Sequence, residues 1–359
     1  MSSLPDPALP TRSIRRRVAA LLAAATFAVA ACSGAATSAP SAAAPSATAS
    51  LVPAATASAE PSIAPSPSPA FPVALTDDEG TTVQLAEEPD RIVSLTPAET
   101  EVLYAIGAGD KVVGKVEDIA NFPPEAKDVP VVSAFGANGV NVDVEKIVGL
   151  GTDLVIAGGQ GGTPQDAIDK LRSLKIPVLV MYAPNVDAVY QDIELTGDAV
   201  GESEAADALV TSMKSDFDQV AAATAGAKKP RVFYETGDQP AVYGIADNSV
   251  YQQMISLAGG EPVTTGSATS WEMPTEKLVT ADPELIILGD AAYGVTADAV
   301  KKRPGWAGIT AVKNGAITGI DDILVTRPGP RLGDGLLLLA SAIHPEVNLP
   351  VPSPAASGG

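Results

Sequence analysis

The stretch EKIVGLGTDLVI over Glu145–Ile156 is nearly repeated by EKLVTADPELII over Glu276–Ile287, without a gap, at an offset of 131 residues. In both copies Glu-Lys opens a short helical turn with two apolar residues, and a tight break follows. An acidic residue then leads into a purely apolar run, Leu154-Val155-Ile156 or Leu285-Ile286-Ile287. Such a run, rich in β-branched side chains and bounded by turn residues, reads as a strand buried on both faces. One helix-to-strand unit is used twice, far enough apart to belong to two separate domains.

Reading outward from these units, strands and helices alternate. Asp90–Leu95 reads as a strand. Thr96-Pro97-Ala98-Glu99 starts a helix, with Thr as cap, Pro in the first turn and acids at the positive end. Gly107-Ala108-Gly109 stops it. Lys111–Lys115, Pro177–Met181, Lys229–Tyr234 and Ala316–Ile320 read as further strands, and Pro164–Leu174, Asn185–Val200, Asn248–Leu257, Thr296–Lys302 and Pro330–Ile343 as helices. Val73–Leu85 reads as a hairpin, with Asp77 and Asp78 solvated in its turn, and Phe135–Asn141 as a loop. The alternation implies a parallel sheet covered on both faces. Glu202–Ala225 breaks the rhythm: a long helix with an apolar stripe (Ala206, Leu209, Met213, Phe217, Val220), ended by Gly226. It suits a rigid strut between two lobes.

The 359 residues suffice for two domains, and the formal charge is −20. A surface so acidic repels phosphate backbones and argues against nucleic-acid binding. The chain holds one Cys, Cys32, and one His, His344. No intrachain disulfide and no Cys- or His-based metal cage can form, so no metal site is expected. No G-x-S-x-G motif and no dinucleotide fingerprint occurs, because Gly107-Ala108-Gly109 ends a helix instead of opening one. No catalytic residue and no cofactor is expected. A secreted hydrolase or a surface adhesion module is the alternative of another class; a flat face with no cleft between residues 71–201 and 228–347 would favour it.

The N-terminus reads as a targeting segment. Arg15-Arg16-Arg17 precedes the apolar run Val18–Ala31, too short to span a bilayer comfortably and suited to a signal peptide core. Val29-Ala30-Ala31-Cys32 resembles the bacterial lipoprotein box, which implies removal of residues 1–31 and acylation of Cys32. Residues 32–70, almost entirely Ala, Ser, Pro and Thr after Cys32, read as a disordered tether, and residues 348–359 as a loose tail. The expected location is extracytoplasmic, lipid-anchored to the bacterial cell membrane.

Asp90–Glu101, the stretch Gly107–Gly114, Phe122-Pro123-Pro124, the block Asn141–Ile156, Glu276–Ile287 and Thr326–Arg331 together resemble the substrate-binding proteins of iron-siderophore, haem and cobalamin ABC importers. The resemblance covers roughly residues 71–346, in order. It implies two α/β lobes, an N-terminal one over 71–201 and a C-terminal one over 228–347. A single long helix over 202–227 would join them, with a small-molecule metal chelate held in the cleft between. It further implies that one Glu on each lobe, here Glu145 and Glu276, docks on the two subunits of a permease dimer. Equivalent units on two lobes would present two similar carboxylates to a two-fold partner; on the residues alone, each Glu also simply starts a helix. In this architecture the C-terminal ends of strands face the cleft, which makes Phe135, Gln160, Tyr182, Tyr243, Trp271, Tyr293 and Arg327 candidate ligand contacts. Arg327, before a stiff Pro-Gly-Pro loop, would meet an anionic group or pair with the chain's own acids. Ile119 and Leu324 stand where a cobalamin binder is expected to carry rings.

Overall fold

The computed structural model describes residues 70–136 and 139–349. The signal segment, Cys32, the tether up to residue 69 and the tail from residue 350 lie outside the described residues.

The N-terminal lobe is built on a six-stranded sheet. Its strands are β3 (Ile92–Ser94), β4 (Val112–Val116), β5 (Val131–Gly136), β6 (Gly139–Val142), β7 (Leu154–Gly158) and β8 (Val178–Met181), and the hairpin β1 (Val73–Thr76) and β2 (Thr82–Leu85) stands apart. The order is β6-β5-β4-β3-β7-β8, parallel except for the edge strand β6, which runs antiparallel to β5. The segment read as a loop around Phe135–Asn141 is therefore largely a hairpin; Val131-Val132 supplies its apolar start, and the glycines Gly136 and Gly139 pair at its end. The C-terminal lobe has a four-stranded, all-parallel sheet, β10-β9-β11-β12, from β9 (Arg231–Glu235), β10 (Glu261–Pro262), β11 (Leu285–Leu288) and β12 (Ile317–Gly319).

Among the described residues eleven α-helices fill the connections: α1 (Pro97–Ala105), α2 (Val144–Gly149), α3 (Gln165–Ser173), α4 (Val186–Val200), α5 (Ser203–Thr224), α6 (Val250–Leu257), α7 (Thr275–Ala281), α8 (Ala297–Val300), α9 (Thr310–Asn314), α10 (Asp322–Thr326) and α11 (Leu332–Ile343). Thr96 caps α1 by accepting the Glu99 N–H at 3.1 Å, and Asn185 caps α4 by accepting the Ala188 N–H at 2.9 Å. These caps satisfy amides that a helix start leaves without partners.

The apolar runs of the repeated units are buried on both faces. Leu154 and Ile156 point into one core and Val155 into another; Ile287 points into the first core and Ile286 into a third. The first core is shared. It runs from the N-terminal sheet through α1, α4 and α5 to α6, α11 and the C-terminal sheet. The outer N-terminal core holds Ile147, Ile168 and Leu171 from α2 and α3, and the outer C-terminal core packs Phe233 edge-on against the buried Trp306 at 6.3 Å.

Helix α5 has 22 residues, about 33 Å at the standard rise, and packs against α4 on one side and α11 on the other. It joins the lobes. Its approach to α4 depends on Gly197, where a Cβ would stand 2.4 Å from the Ala206 Cβ. The first turn of the tail also belongs to the body, since Leu349 packs against the shared core.

The hairpin turn corrects one expectation. Asp77 is not solvated: its carboxylate is buried, accepts the Val180 N–H at 3.2 Å and binds Arg172 at 3.1 Å. Asp78 accepts the Tyr182 N–H. The turn is fastened to the end of β8 because its carboxylates satisfy amides that the sheet edge leaves open.

Candidate functional site

A cavity of about 420 Å³ lies between the C-terminal ends of strands in the N-terminal lobe and loops and helix ends of the C-terminal lobe. The N-terminal lobe contributes the start of α1 (Thr96–Glu99), the glycines after β7, the segment Met181–Pro184 after β8, and Asp192 of α4. The C-terminal lobe contributes Ala246–Tyr251, Trp271 and Thr326–Pro328.

Of the seven candidate contacts, Tyr182, Trp271 and Arg327 line this cavity, while Phe135, Gln160, Tyr243 and Tyr293 are not among its lining residues. Phe135 and Tyr293 lie far out in solvent, 78% and 73% exposed. Trp271 is held edge-to-face on Tyr251, ring centres 5.4 Å apart. Tyr182 and Tyr251 complete an aromatic wall. Sequence reasoning missed Tyr251, although it lies two residues after Ser249, the cap of a helix that starts beside the cleft.

Arg327 resolves toward the chain's own acids. Its guanidinium donates to Glu101 at 2.6 Å and to Asp118 at 2.7 and 3.1 Å. Arg331 adds two bonds to the same Glu101, at 2.6 and 2.8 Å, and stacks on the Phe122 ring at 3.8 Å. Both acids and Phe122 are on the N-terminal lobe and both arginines on the C-terminal lobe, so this cluster clasps the lobes together at one side of the cavity. Burial pushes the Asp118 carboxyl up, but the two bonds from Arg327 outweigh it and hold it below the ordinary carboxylate range. Arg327, the single cation lining the cavity among the described residues, is thus already neutralised.

What remains on the N-terminal wall is acidic. Glu99 (3% exposed) accepts the Thr196 hydroxyl at 2.9 Å. Asp192 (6% exposed) meets the Asp78 carboxyl and pairs with no cation among the described residues. Burial lifts Glu99 to about 7; burial, then the neighbouring Glu99 and Asp78, lifts Asp192 to about 9. Neither was singled out from the sequence. Glu99 passes there for a helix-start acid. Asp192 had one signal, a carboxylate sitting between Val189 and Ile193 on the buried face of α4.

Glu145 and Glu276 are not among the residues lining the cavity; both are exposed in the first turns of α2 and α7, and neither is in an ion pair among the described residues. Three residues on, Val148 and Val279 are also exposed, 45% and 38%. No group of His, Cys, Asp and Glu among the described residues could hold a metal ion.

Two α/β lobes on one long helix, with a cavity between them, define a bilobal solute-binding fold. The chain belongs to the periplasmic binding protein family, whose model matches residues 92–324. It is 37% identical to an uncharacterized ABC transporter substrate-binding lipoprotein, YvrC, of Bacillus subtilis, over 77% of this chain and 87% of that protein. It is 28% identical to a cobalamin-binding protein of Halobacterium salinarum, over 77% and 75% of the two chains. Among solved structures it is similar to the periplasmic vitamin B12 binding protein BtuF of Vibrio cholerae, with a TM-score of 0.60 and 25% identity, covering 72% of this chain and 98% of that one. The chain is a non-enzymatic solute-binding protein of the ABC-importer class.

Proposed function

We propose that this protein captures a corrinoid in the inter-lobe cavity and hands it to an ABC permease. The observation that carries the choice of ligand is the charge of the cavity. Its walls bring the aromatic rings of Tyr182, Tyr251 and Trp271, its carboxyls Glu99 and Asp192 have no cationic partner, and its one arginine is spent on Glu101 and Asp118. Rings offer area to a flat apolar macrocycle. Haem propionates or an anionic siderophore would need a free cation there, and bringing an anion beside buried acids is costly. A cobalamin, whose corrin rim carries amides and no carboxylic acids, has no such requirement. Ile119 is 71% exposed, and neither it nor the buried Leu324 lines the cavity. The absence of rings at those two positions therefore does not count against a corrinoid. The names of the Halobacterium and Vibrio proteins point the same way.

Delivery uses Glu145 and Glu276, which dock on arginines of the two permease subunits. Two exposed carboxylates at equivalent helix starts, each followed by an exposed valine, support that role. Cys32 carries the lipid that holds the protein outside the cytoplasmic membrane, on the tether of residues 32–70, and the folded lobes span 71–201 and 228–347. A Cys32→Ser variant is expected to be released from membranes and to take up no labelled fatty acid; a variant still labelled would remove the anchor.

The ligand is tested by titrating the protein with cyanocobalamin, hemin and ferric hydroxamate and catecholate siderophores. Saturable binding of cyanocobalamin, with at least tenfold weaker binding of the anionic chelates, is expected. Tight binding of hemin alone would overturn the corrinoid reading.

A further inference from the structure

We infer that Glu99 and Asp192 form a subsite that takes a primary carboxamide on the rim of the ligand. This rests on the corrinoid reading above and adds which wall of the cavity recognises the rim.

The two side chains come from different helices, α1 and α4, and both line the cavity while being more than nine-tenths buried. Among the described residues neither is paired with a cation. Glu99 has one oxygen occupied by the Thr196 hydroxyl, and the one hydrogen-bonding neighbour of Asp192 among the described residues is the Asp78 carboxyl, so each keeps one oxygen without a partner. A buried carboxyl that lines a cavity with one oxygen left over is an unfilled hydrogen-bonding position, and leaving it unfilled is costly. The charged and titratable groups around the pair are Asp78 from the β1–β2 turn, Tyr182 after β8, and Asp247, Tyr251 and Arg327 across the cavity. The arginine is held by Glu101 and Asp118, so the neighbourhood is acidic and desolvated.

In that setting Asp192 keeps its proton at neutrality and Glu99 holds its own up to neutrality: burial raises Glu99 to about 7 and Asp192 to about 9. A neutral carboxyl has one O–H donor and one carbonyl acceptor. A primary amide has the matching acceptor and donor at the same spacing, so acid and amide form two parallel hydrogen bonds. A carboxylate on the ligand offers no donor and adds a like charge, and a site built around hydrogen bonds rejects a group that cannot return them. An ammonium group would demand the ionised carboxyls instead.

The test uses the full chain and two probes: cyanocobalamin, and cobyrinic acid, in which the rim amides are carboxylic acids. Affinities are measured by calorimetry between about pH 6 and about pH 9.5, spanning the two proton losses. Wild-type affinity for cyanocobalamin should fall about tenfold or more across that range, since binding favours the protonated pair. The double variant Glu99→Gln, Asp192→Asn, whose amides cannot ionise, should bind roughly tenfold more tightly than wild type at the alkaline end. Wild type should discriminate against cobyrinic acid by at least about tenfold at neutral pH, a comparison that needs no variant to fold. Intact cyanocobalamin binding with a flat profile, affinity rising with pH, or equal affinity for both probes would overturn the subsite and leave the corrinoid reading standing. No cyanocobalamin binding at any pH would overturn that reading and the subsite with it.

Discussion

In the N-terminal lobe Arg91 donates from Nε to the Leu150 carbonyl at 2.6 Å, its own N–H is received by the Asp153 carboxylate at 3.0 Å, and its carbonyl accepts the Asp153 N–H at 3.0 Å. In the C-terminal lobe Arg231 donates from Nε to the Ala281 carbonyl at 3.0 Å, its N–H meets Glu284 at 3.2 Å, and its carbonyl accepts the Glu284 N–H at 2.8 Å. The left-handed residue of each break falls at the same position of the repeat, Gly151 at φ +66° and Asp282 at φ +46°. The lobes are therefore alike down to single hydrogen bonds around the repeated units. Across the cleft they are opposites. The N-terminal wall brings Glu99, Glu101, Asp118 and Asp192, and the C-terminal wall brings Arg327, Arg331, Tyr251 and Trp271. On the delivery proposed above, the difference separates two tasks: like outer surfaces would suit a two-fold permease, and unlike inner walls a ligand with no such symmetry.

The largest effect should follow from breaking the outer likeness. With the corresponding permease in vesicles, Glu145→Ala with Glu276→Ala should abolish uptake while leaving ligand affinity unchanged. Each single change should cost about 2–5 kcal/mol of docking free energy, and by similar amounts. Strongly unequal losses would break the equivalence of the lobes, and lost ligand affinity would refute the docking role.

The clasp comes next. Glu101→Ala leaves Arg327 and Arg331, 12% and 18% exposed at their side chains, without their shared carboxylate. Removing one partner of such a buried pair costs about 3–5 kcal/mol, to be read from the shift of the denaturation midpoint. A shift within error would show that the lobes are held by their shared core alone.

Much of the scaffold was legible in the chain, because strands buried on both faces must be apolar throughout and helix stops need glycine; Leu154–Ile156, Ile286–Ile287 and Gly107 carried that information locally. The likeness of Arg91 and Arg231 was not visible, since they are 140 residues apart and a gapless match at 131 passes over them. The cleft was harder still. Arg327 had two equally plain uses, and the choice depended on Glu101 and Asp118, more than 200 positions away. Glu99 and Asp192 read as ordinary helix residues because burial, which gives them their chemistry, is a property of the packed lobe.

A smaller effect sharpens the comparison at the breaks. Gly151→Ala places a Cβ in the left-handed region, 3.3 Å from Arg91 Nε, and should cost about 1–2 kcal/mol. Asp282→Gly should gain less than that strain, since its carboxylate binds Thr310 at 2.7 and 2.9 Å. If Asp282→Gly were fully stabilising, the Thr310 bonds would carry no weight.

The slightest effect is on pH dependence. Asp290 is buried with both oxygens without a partner. Burial, then Glu235, raises it to about 7 from an ordinary 3.8. The folded state therefore holds a proton that the unfolded chain has lost, so this contribution to stability is full below about pH 4 and fades as pH rises through about 7. Asp290→Asn should flatten that part of the melting-temperature profile. An unchanged profile would place the titration elsewhere.

The most direct measurement is tryptophan emission during titration with cyanocobalamin. Trp271 stands in the cavity wall, while Trp306 is 2% exposed in the outer C-terminal core. The account predicts saturable quenching at one equivalent of ligand that is largely lost in Trp271→Phe. Emission that does not change with cyanocobalamin, or quenching that survives undiminished in Trp271→Phe, would contradict it.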